Sequence, residues 1–436
     1  MSRELAIALR ARVTWLVAAI AALLIGHGFV LAIDLYSASS RSALASVLQT
    51  REMDPLAGIV RPTLGGASLA LSLLGPVIAA RTLAIEKERK SYGALCLAVG
   101  SSTRVVLYKA LAGAIACALV LAAPIVLFVA FAAFGGHVDP FETAVAVSGE
   151  GLHLLLIAAL ATAAAAWTRT FAQAVTLGIL ASLTSWAIDA AEGFAALAWL
   201  GKASEWSIEQ RLLPFQRGIV SIGSVLWLAC SSALALAAAM TGASFESMAR
   251  KLRLTVPLLG IGLLALVLTG NVRRGYDWSE QRRASLPPAA VEGLREIEGP
   301  IIIDVFLDRD DSRRHQLESD ALAKLLLARP DVAIRTPLDD AGDVVEAQRG
   351  SDYGRILVHV GGSWNASVAP SRRELVTLIF EAAGKKLPEW AQSPYPGFPI
   401  VVGGMRRRLL GLLAYGGLPL TFVVIGLVLT RSRRTR

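Results

Sequence analysis

Few residues of this 436-residue chain have the types and spacing to do chemistry. The densest group is Glu86, Lys87, Glu88, Arg89, Lys90 and Ser91, followed by Leu95. These form an exposed amphipathic element that presents charge to water; on charge alone they read as a solvated loop. The second group is His27, Arg61, His153 and Asp189, ionisable side chains within or beside long apolar stretches, where function is the first thing to look for. Each lies near the end of its stretch or among small residues, which favours snorkelling or interhelix hydrogen bonding over substrate binding. Neither group is a catalytic pair, so an intramembrane enzyme is disfavoured. Cys96, Cys117 and Cys230 are too few and too scattered for a disulfide framework or a zinc site. Nor is there a phosphate-binding loop of the form G-x-x-x-x-G-K-[ST]: Gly201-Lys202 runs into Ala203, and Gly384-Lys385 into Lys386. Any ATP and magnesium must therefore be bound by another polypeptide, and the chain is expected to hold no cofactor and no metal of its own.

These groups have to be positioned by apolar helices. Hydrophobic residues make up 54% of the chain and charged residues 18%, against about 25% charged in soluble domains. A hydrocarbon core about 30 Å thick takes roughly 20 helical residues to cross. Eight stretches qualify or nearly so: 13–33, 59–80, 105–134, 151–167, 171–188, 218–241, 254–269 and 409–429. The first is longer than the roughly 7–15 apolar residues of a cleaved leader and reads as a retained span. Pro76, Pro124, Pro257 and Pro419 fall inside spans, where membrane helices tolerate them. Gly65-Gly66, Gly75 and the alanines of 158–166 predict close helix packing.

The formal charge of +9 could suggest a nucleic-acid binder, but its location argues otherwise. With the N-terminus inside, 17 basic residues face the cytosol with four acidic ones, while the opposite short loops carry six basic and ten acidic. By the positive-inside rule both termini lie in the cytosol and 270–408 lies outside. The charge excess orients the helices and meets anionic lipid; no nucleic acid is implied.

Residues 270–408 change character, with equal numbers of acidic and basic residues. Strands are expected at 300–307, 331–336 and 355–360, and helices at 311–328 and 371–384, the latter capped by Ser371. Strand–helix–strand order predicts a small α/β sheet with a right-handed crossover. It carries no G-x-S-x-G, no H-E-x-x-H and no Cys–His pair. His315 and His359 are its only histidines; His359 alternates within a strand and reads as structural. The run 309–314 reads as a solvated helix start, and Trp390, Tyr395 and Phe398 as an aromatic belt at the membrane interface. The fold class is thus a membrane all-α protein of about eight transmembrane helices, N-in and C-in, with a small extracytoplasmic α/β domain between the last two spans.

The order of residues in 81–109 resembles the first cytoplasmic loop of type-2 ABC exporter permeases. There an acidic-basic cluster precedes a hydroxyl residue and leucines, and Glu86, Glu88, Arg89, Ser91 and Leu95 fall on that pattern, with Lys109 entering the third span. Tyr92-Gly93, Val99-Gly100 and Tyr108 depart from it. Ser2–Ala11 is similar to the family's interfacial N-terminal helix, 165–173 to the turn between spans four and five, and 213–219 to the segment leading into span six. Residues 254–436 resemble the membrane-anchored auxiliary subunit of gliding-motility-type ABC transporters, through Arg274 to Ser279 and Ala284 to Pro287. The resemblance implies a permease domain at 1–250, an anchor helix at 251–270, an auxiliary domain at 271–408 and a final span with a basic tail at 409–436. It implies that Glu86, Lys87, Glu88, Arg89, Ser91 and Leu95 couple to a separate ATPase dimer. A second permease subunit, the lipid bilayer and an external partner complete the expected company, in a bacterial cytoplasmic membrane. The implied function is export or membrane extraction of a substrate; the alternative is transmission of ATP-driven strain to an external partner through 271–408.

Overall fold

The computed structural model describes residues 2–51, 53–191, 204, 206–272, 274–308, 311, 313–314, 317–340, 353–368, 372–387 and 395–431. His315, Ser371, Trp390 and the Gly201-Lys202 pair lie outside them. The chain divides into two compact units, one of helices (residues up to 272 and from 396 onward) and one spanning residues 273–395.

Among the described residues, eight helices of the first unit are long and apolar enough to cross a bilayer, which makes this a multi-pass membrane chain. A short helix α1 (Ser2–Leu9) leads into α2 (Arg12–Ala43). A π-helical turn at Leu56–Val60 runs into α3 (Arg61–Glu88), and the short α4 (Tyr92–Val99) follows. Then come α5 (Ser102–Ala133), α6 (Pro140–Trp167), α7 (Phe171–Ala191), the short α8 (Ile208–Leu212), α9 (Ile222–Gly242) and α10 (Met248–Gly270).

Span four was expected at 151–167, yet α6 begins at Pro140. Asp139 caps it, accepting from the backbone N–H of Phe141 (3.0 Å) and Glu142 (2.9 Å), and proline at the first turn loses no intrahelical bond. The polar residues of its first three turns hid this start from a hydropathy reading. α4 ends at Gly100, whose left-handed φ of 75° is a glycine conformation, and Ser101 starts α5.

The core of this unit is made by α2, α3, α5 and α6, with Phe29, Leu71, Leu127, Phe131 and Ile157 wholly or almost wholly buried. Helices approach closely where glycine allows it. A Cβ on Gly75 would lie 2.8 Å from Ile157, and one on Gly113 would lie 3.1 Å from the Ala79 backbone. Gly65, expected in the same role, faces open space.

The second unit holds helix α11 (Pro288–Arg295), strand β1 (Ile301–Val305), a π-helical turn Leu317–Leu322 continuing as α12 (Ala323–Ala328), and strand β2 (Ala333–Arg335). β3 (Ile356–Val360), β4 (Ser363–Ser367) and α13 (Arg372–Ala382) follow. The sheet order is β2-β1-β3-β4, with β1 parallel to β2 and the other pairs antiparallel. Alternation along β1 and β3 puts Ile301, Ile303, Val305, Ile356, Val358 and Val360 into one core with Leu294, Leu325 and Ile379. β4 and α11 had no counterpart in the sequence reading, since β4 (SWNAS) has too few apolar residues to show.

Two readings of this region need correction. Arg314, expected in a solvated run, is 8% exposed; it pairs with Glu318 at 2.8 Å and donates to the Leu307 carbonyl. Tyr395, expected in a membrane belt, is buried under the Arg283 guanidinium, 4.6 Å from its ring centroid. His359 contacts Asp304 at 3.1 Å across the sheet, a structural partner as its alternation suggested.

The chain then returns to the helical unit. α14 (Gly404–Leu412) passes through a π-helical segment Leu413–Gly417, whose Ala414 backbone meets Gly26 of α2, into α15 (Leu418–Arg431), which also packs against α2.

Candidate functional site

The charged group 86–91 lies where α3 ends and α4 begins, and its residues have divided roles. Glu86 is folded inward. It accepts from the Ser91 hydroxyl and from Lys109, 3.3 Å away, and Lys109 also meets Glu4 of α1 at 2.5 Å. Lys109 is 2% exposed, so a buried cation bridges three elements, α1, α3 and α5. Lys87 turns the other way. Its ammonium donates to the carbonyls of Ala165 (2.9 Å), Ala166 (2.5 Å) and Thr168 (2.7 Å). Those acceptors close α6, whose last carbonyls have no intrahelical donor, and a cation there also complements the helix dipole.

The turn between the helices is tight: Lys90 takes a left-handed φ of 59°, and the Ser91 N–H returns to the Glu86 carbonyl. What remains outside is Glu88, Arg89 and Lys90, together with one face of α4 made of Ala94, Leu97 and Ala98. Leu97 is 86% exposed. Leu95 is half-buried. The opposite face of α4 holds Tyr92, whose hydroxyl donates to the Ala243 carbonyl (3.1 Å) and whose burial raises its pKa, keeping it a donor. The corner is therefore a small apolar ridge rimmed by charge on a base held by ion pairs.

A second cluster sits within the spans. Glu150 and His153 of α6 are both fully buried, and their i,i+3 spacing puts them on one face. The Ser68 hydroxyl contacts both Glu150 oxygens, at 2.7 and 2.8 Å. His153 Nδ1 lies 3.3 Å from Glu150, and Nε2 lies 3.4 Å from the Ser72 hydroxyl. A ring that donates through Nδ1 and accepts at Nε2 satisfies every one of these atoms. Gln216 reaches Glu150 at 3.5 Å, and this approach needs Gly149, where a Cβ would lie 2.6 Å from Phe215. Such a carboxylate–imidazole pair can hold or pass a proton and ties α3 to α6. Among the described residues no group of three or more His, Cys, Asp or Glu could hold a metal ion.

The four nominated intramembrane residues are thus not one site. His153 is in this cluster. Asp189 accepts from Ser207 and Gln210, each at 3.1 Å, where α7 meets α8. His27 is exposed and bonds the Tyr415 hydroxyl at 2.9 Å, and Arg61 is exposed at the start of α3. The sequence reading missed Glu150, Ser68 and Ser72; the Glu-x-x-His spacing was the signal available. Searches against protein-family models, curated proteins and solved structures return no match, so the functional reading rests on residues and geometry.

Proposed function

We propose that this chain is the transmembrane permease subunit of an ATP-driven ABC transporter, moved by a separate ATPase dimer that docks on α4 from the cytosol. The observation that carries the reading is the ridge of Ala94, Leu97 and Ala98, rimmed by Glu88, Arg89 and Lys90 and bolted to α1, α5 and α6 through Lys109 and Lys87. A short helix with an apolar face suits a groove on a partner, and the charged rim would set orientation. The rigid fastening lets a push on α4 reach the spans and not be absorbed by a loop. In this reading ATP and magnesium belong to the partner and a second permease subunit completes the complex. The membrane is a bacterial cytoplasmic one, and the unit at 273–395 lies on the far side.

The test is co-purification of the full-length chain from its native membrane. An ATP-hydrolysing subunit should accompany the parent chain. Leu97→Glu and Arg89→Glu should lose it while their thermal unfolding stays the same, since both side chains are exposed. No ATPase with the parent chain, or undiminished capture by both variants, would sink the assignment. Charge reversal at Glu86 is the wrong probe, because it would break the corner itself.

A further inference from the structure

Between α6, α7, α9 and α10 lies a cavity of about 500 Å³, within the roughly 300–1,000 Å³ of small-ligand sites. It follows α9 from Trp227 to Ala238, about 16 Å at ~1.5 Å per residue. Trp227 lies about 8 Å inside the first residue of α9 and Ala238 about 6 Å short of its last, so the cavity occupies the middle of that span. Its ends differ in chemistry. The Ala238 end is lined by Ala163, Leu160 and Leu259, all apolar. The Trp227 end has Ser207 in its wall, with Asp189 and Arg211 beside it. The Arg211 guanidinium lies 5.5 Å from the Trp206 ring and 5.7 Å from that of Trp227, and it donates to the Gly270 carbonyl.

Most polar groups in the wall are already engaged. Ser231 donates to the Trp227 carbonyl (2.8 Å), Thr184 to the Leu180 carbonyl (2.7 Å) and Ser185 to Glu209 (2.9 Å). Trp227 is the exception: it is 7% exposed, and its indole N–H has no acceptor among the described residues. A buried donor without an acceptor is expensive, and a ligand that supplies one is selected by it. The outer walls are also reachable from the bilayer, since only 6% of the apolar stretch of α10 and 17% of that of α7 are buried.

We propose that this cavity holds an acyl chain of a membrane phospholipid, with its ester carbonyl accepting the Trp227 N–H and its head group beside Arg211. The cavity is long enough for an acyl chain laid along the span, its polarity runs from head to tail, and the residue with the orphan donor lines its polar end. The inference does not depend on the transport reading, because it concerns occupancy without ATP.

The test uses the full chain in nanodiscs with a phosphatidylglycerol that carries a diazirine in its acyl chain. Photolabel should concentrate on residues 156–163 and 227–238 and be competed by unlabelled phosphatidylglycerol. Ala235→Trp, which fills the cavity, should cut that label at least about five-fold, and Leu160→Trp fills it from the opposite wall should the first variant fold poorly. Trp227→Phe keeps the volume and should weaken competition about three- to ten-fold. Label spread over the outer face of α10, at Ile261 and Leu263, without preference for the cavity would mean annular lipid only and overturn the proposal. Insensitivity to both Trp227→Phe and a folded filling variant would do the same, as would a Leu234→Cys chain that cross-links to a second copy.

Discussion

Replacing Lys109 with Met should loosen one corner of the bundle and leave the spans in place. The ammonium is 2% exposed and lies 2.5 Å from Glu4 and 3.3 Å from Glu86, which are 15% and 27% exposed. Removing one partner of a buried ion pair costs about 3–5 kcal/mol, because the remaining charge is left uncompensated. Both carboxylates here keep some water, so about 2–3 kcal/mol is the fitting share. At about 1.4 kcal/mol per decade, local opening becomes roughly 30- to 150-fold more frequent. Cys96 reports on it, since it is 7% exposed on the inner face of α4, while Cys117 is fully buried within α5. A charged maleimide that reacts slowly compared with reclosing reads the opening equilibrium. Cys96 should label about 30 to 150 times faster in Lys109→Met, with Cys117 unchanged. Adding Glu86→Gln should cost less than the sum of the single changes, by about 1 kcal/mol or more, because the two residues share one cluster. A Cys96 rate within about three-fold of the parent would refute the view that this cation holds the corner.

Three further outcomes follow from the same contacts. Lys87→Met removes a charged donor from three carbonyls at the end of α6; thermal unfolding in detergent should show a loss of about 2–3 kcal/mol, partly restored in Lys87→Arg. Burial raises the Glu209 pKa above the usual carboxylate range, so the folded chain keeps a proton that the unfolded chain has released. Stability should therefore fall as pH rises from the unfolded value through the folded one and be flat above it; Glu209→Gln should lose that slope and exceed the parent in stability above the interval. Gly113→Leu must push α5 from the Ala79 backbone, 3.1 Å from the added Cβ, and should cost at least about 1–3 kcal/mol in the same assay, whereas Gly65→Ala, in open space, should stay within about 0.5 kcal/mol.

The spans were legible because 20 apolar residues in a row leave little choice of structure. Their polar ends were not: α6 starts at Pro140 because of a cap, and a cap is a local hydrogen bond that hydropathy averages away. In the second unit, strands β1 and β3 announced themselves as apolar runs, while β4, with Ser363, Asn365 and Ser367, exists because β3 offers it an edge. The charged group 86–91 was visible as a group, but its division was not. Whether Glu86 or Glu88 points inward depends on Lys109 and Glu4, which are remote in sequence and meet only after α1, α3 and α5 have packed. Glu150 was counted with an external loop because α6 was drawn too short, and the error in one helix start hid the buried cluster.

The polar contacts also decide which parts of the helical unit can move against which. Lipid tails are as apolar as leucine, so helices in a bilayer gain cohesion from close packing and hydrogen bonds and not from apolar burial itself. In this unit the hydrogen-bonded ties converge on α3: Glu86 through Lys109 to α1 and α5, Lys87 to the end of α6, and Ser68 and Ser72 to Glu150 and His153 of α6. The apolar stretches of α3 and α6 are each 61% buried, against 17%, 33% and 6% for α7, α9 and α10. α3, α5 and α6 therefore behave as one body. α9 is tied into the same body by the Trp167 indole N–H of α6 on the Ala238 carbonyl (2.8 Å) and by the Tyr92 hydroxyl of α4 on the Ala243 carbonyl (3.1 Å), which leaves α7 and α10 as the helices with the least buried apolar stretches. The cavity lies between these groups, with α6 and α9 as its firm walls and α7 and α10 as its yielding ones. A force applied at α4 enters this body through residues 86 to 91 and through Tyr92, so the cavity distances expected to respond are those from Leu160 and Leu234 on the firm walls to Thr184 and Leu259 on the yielding ones.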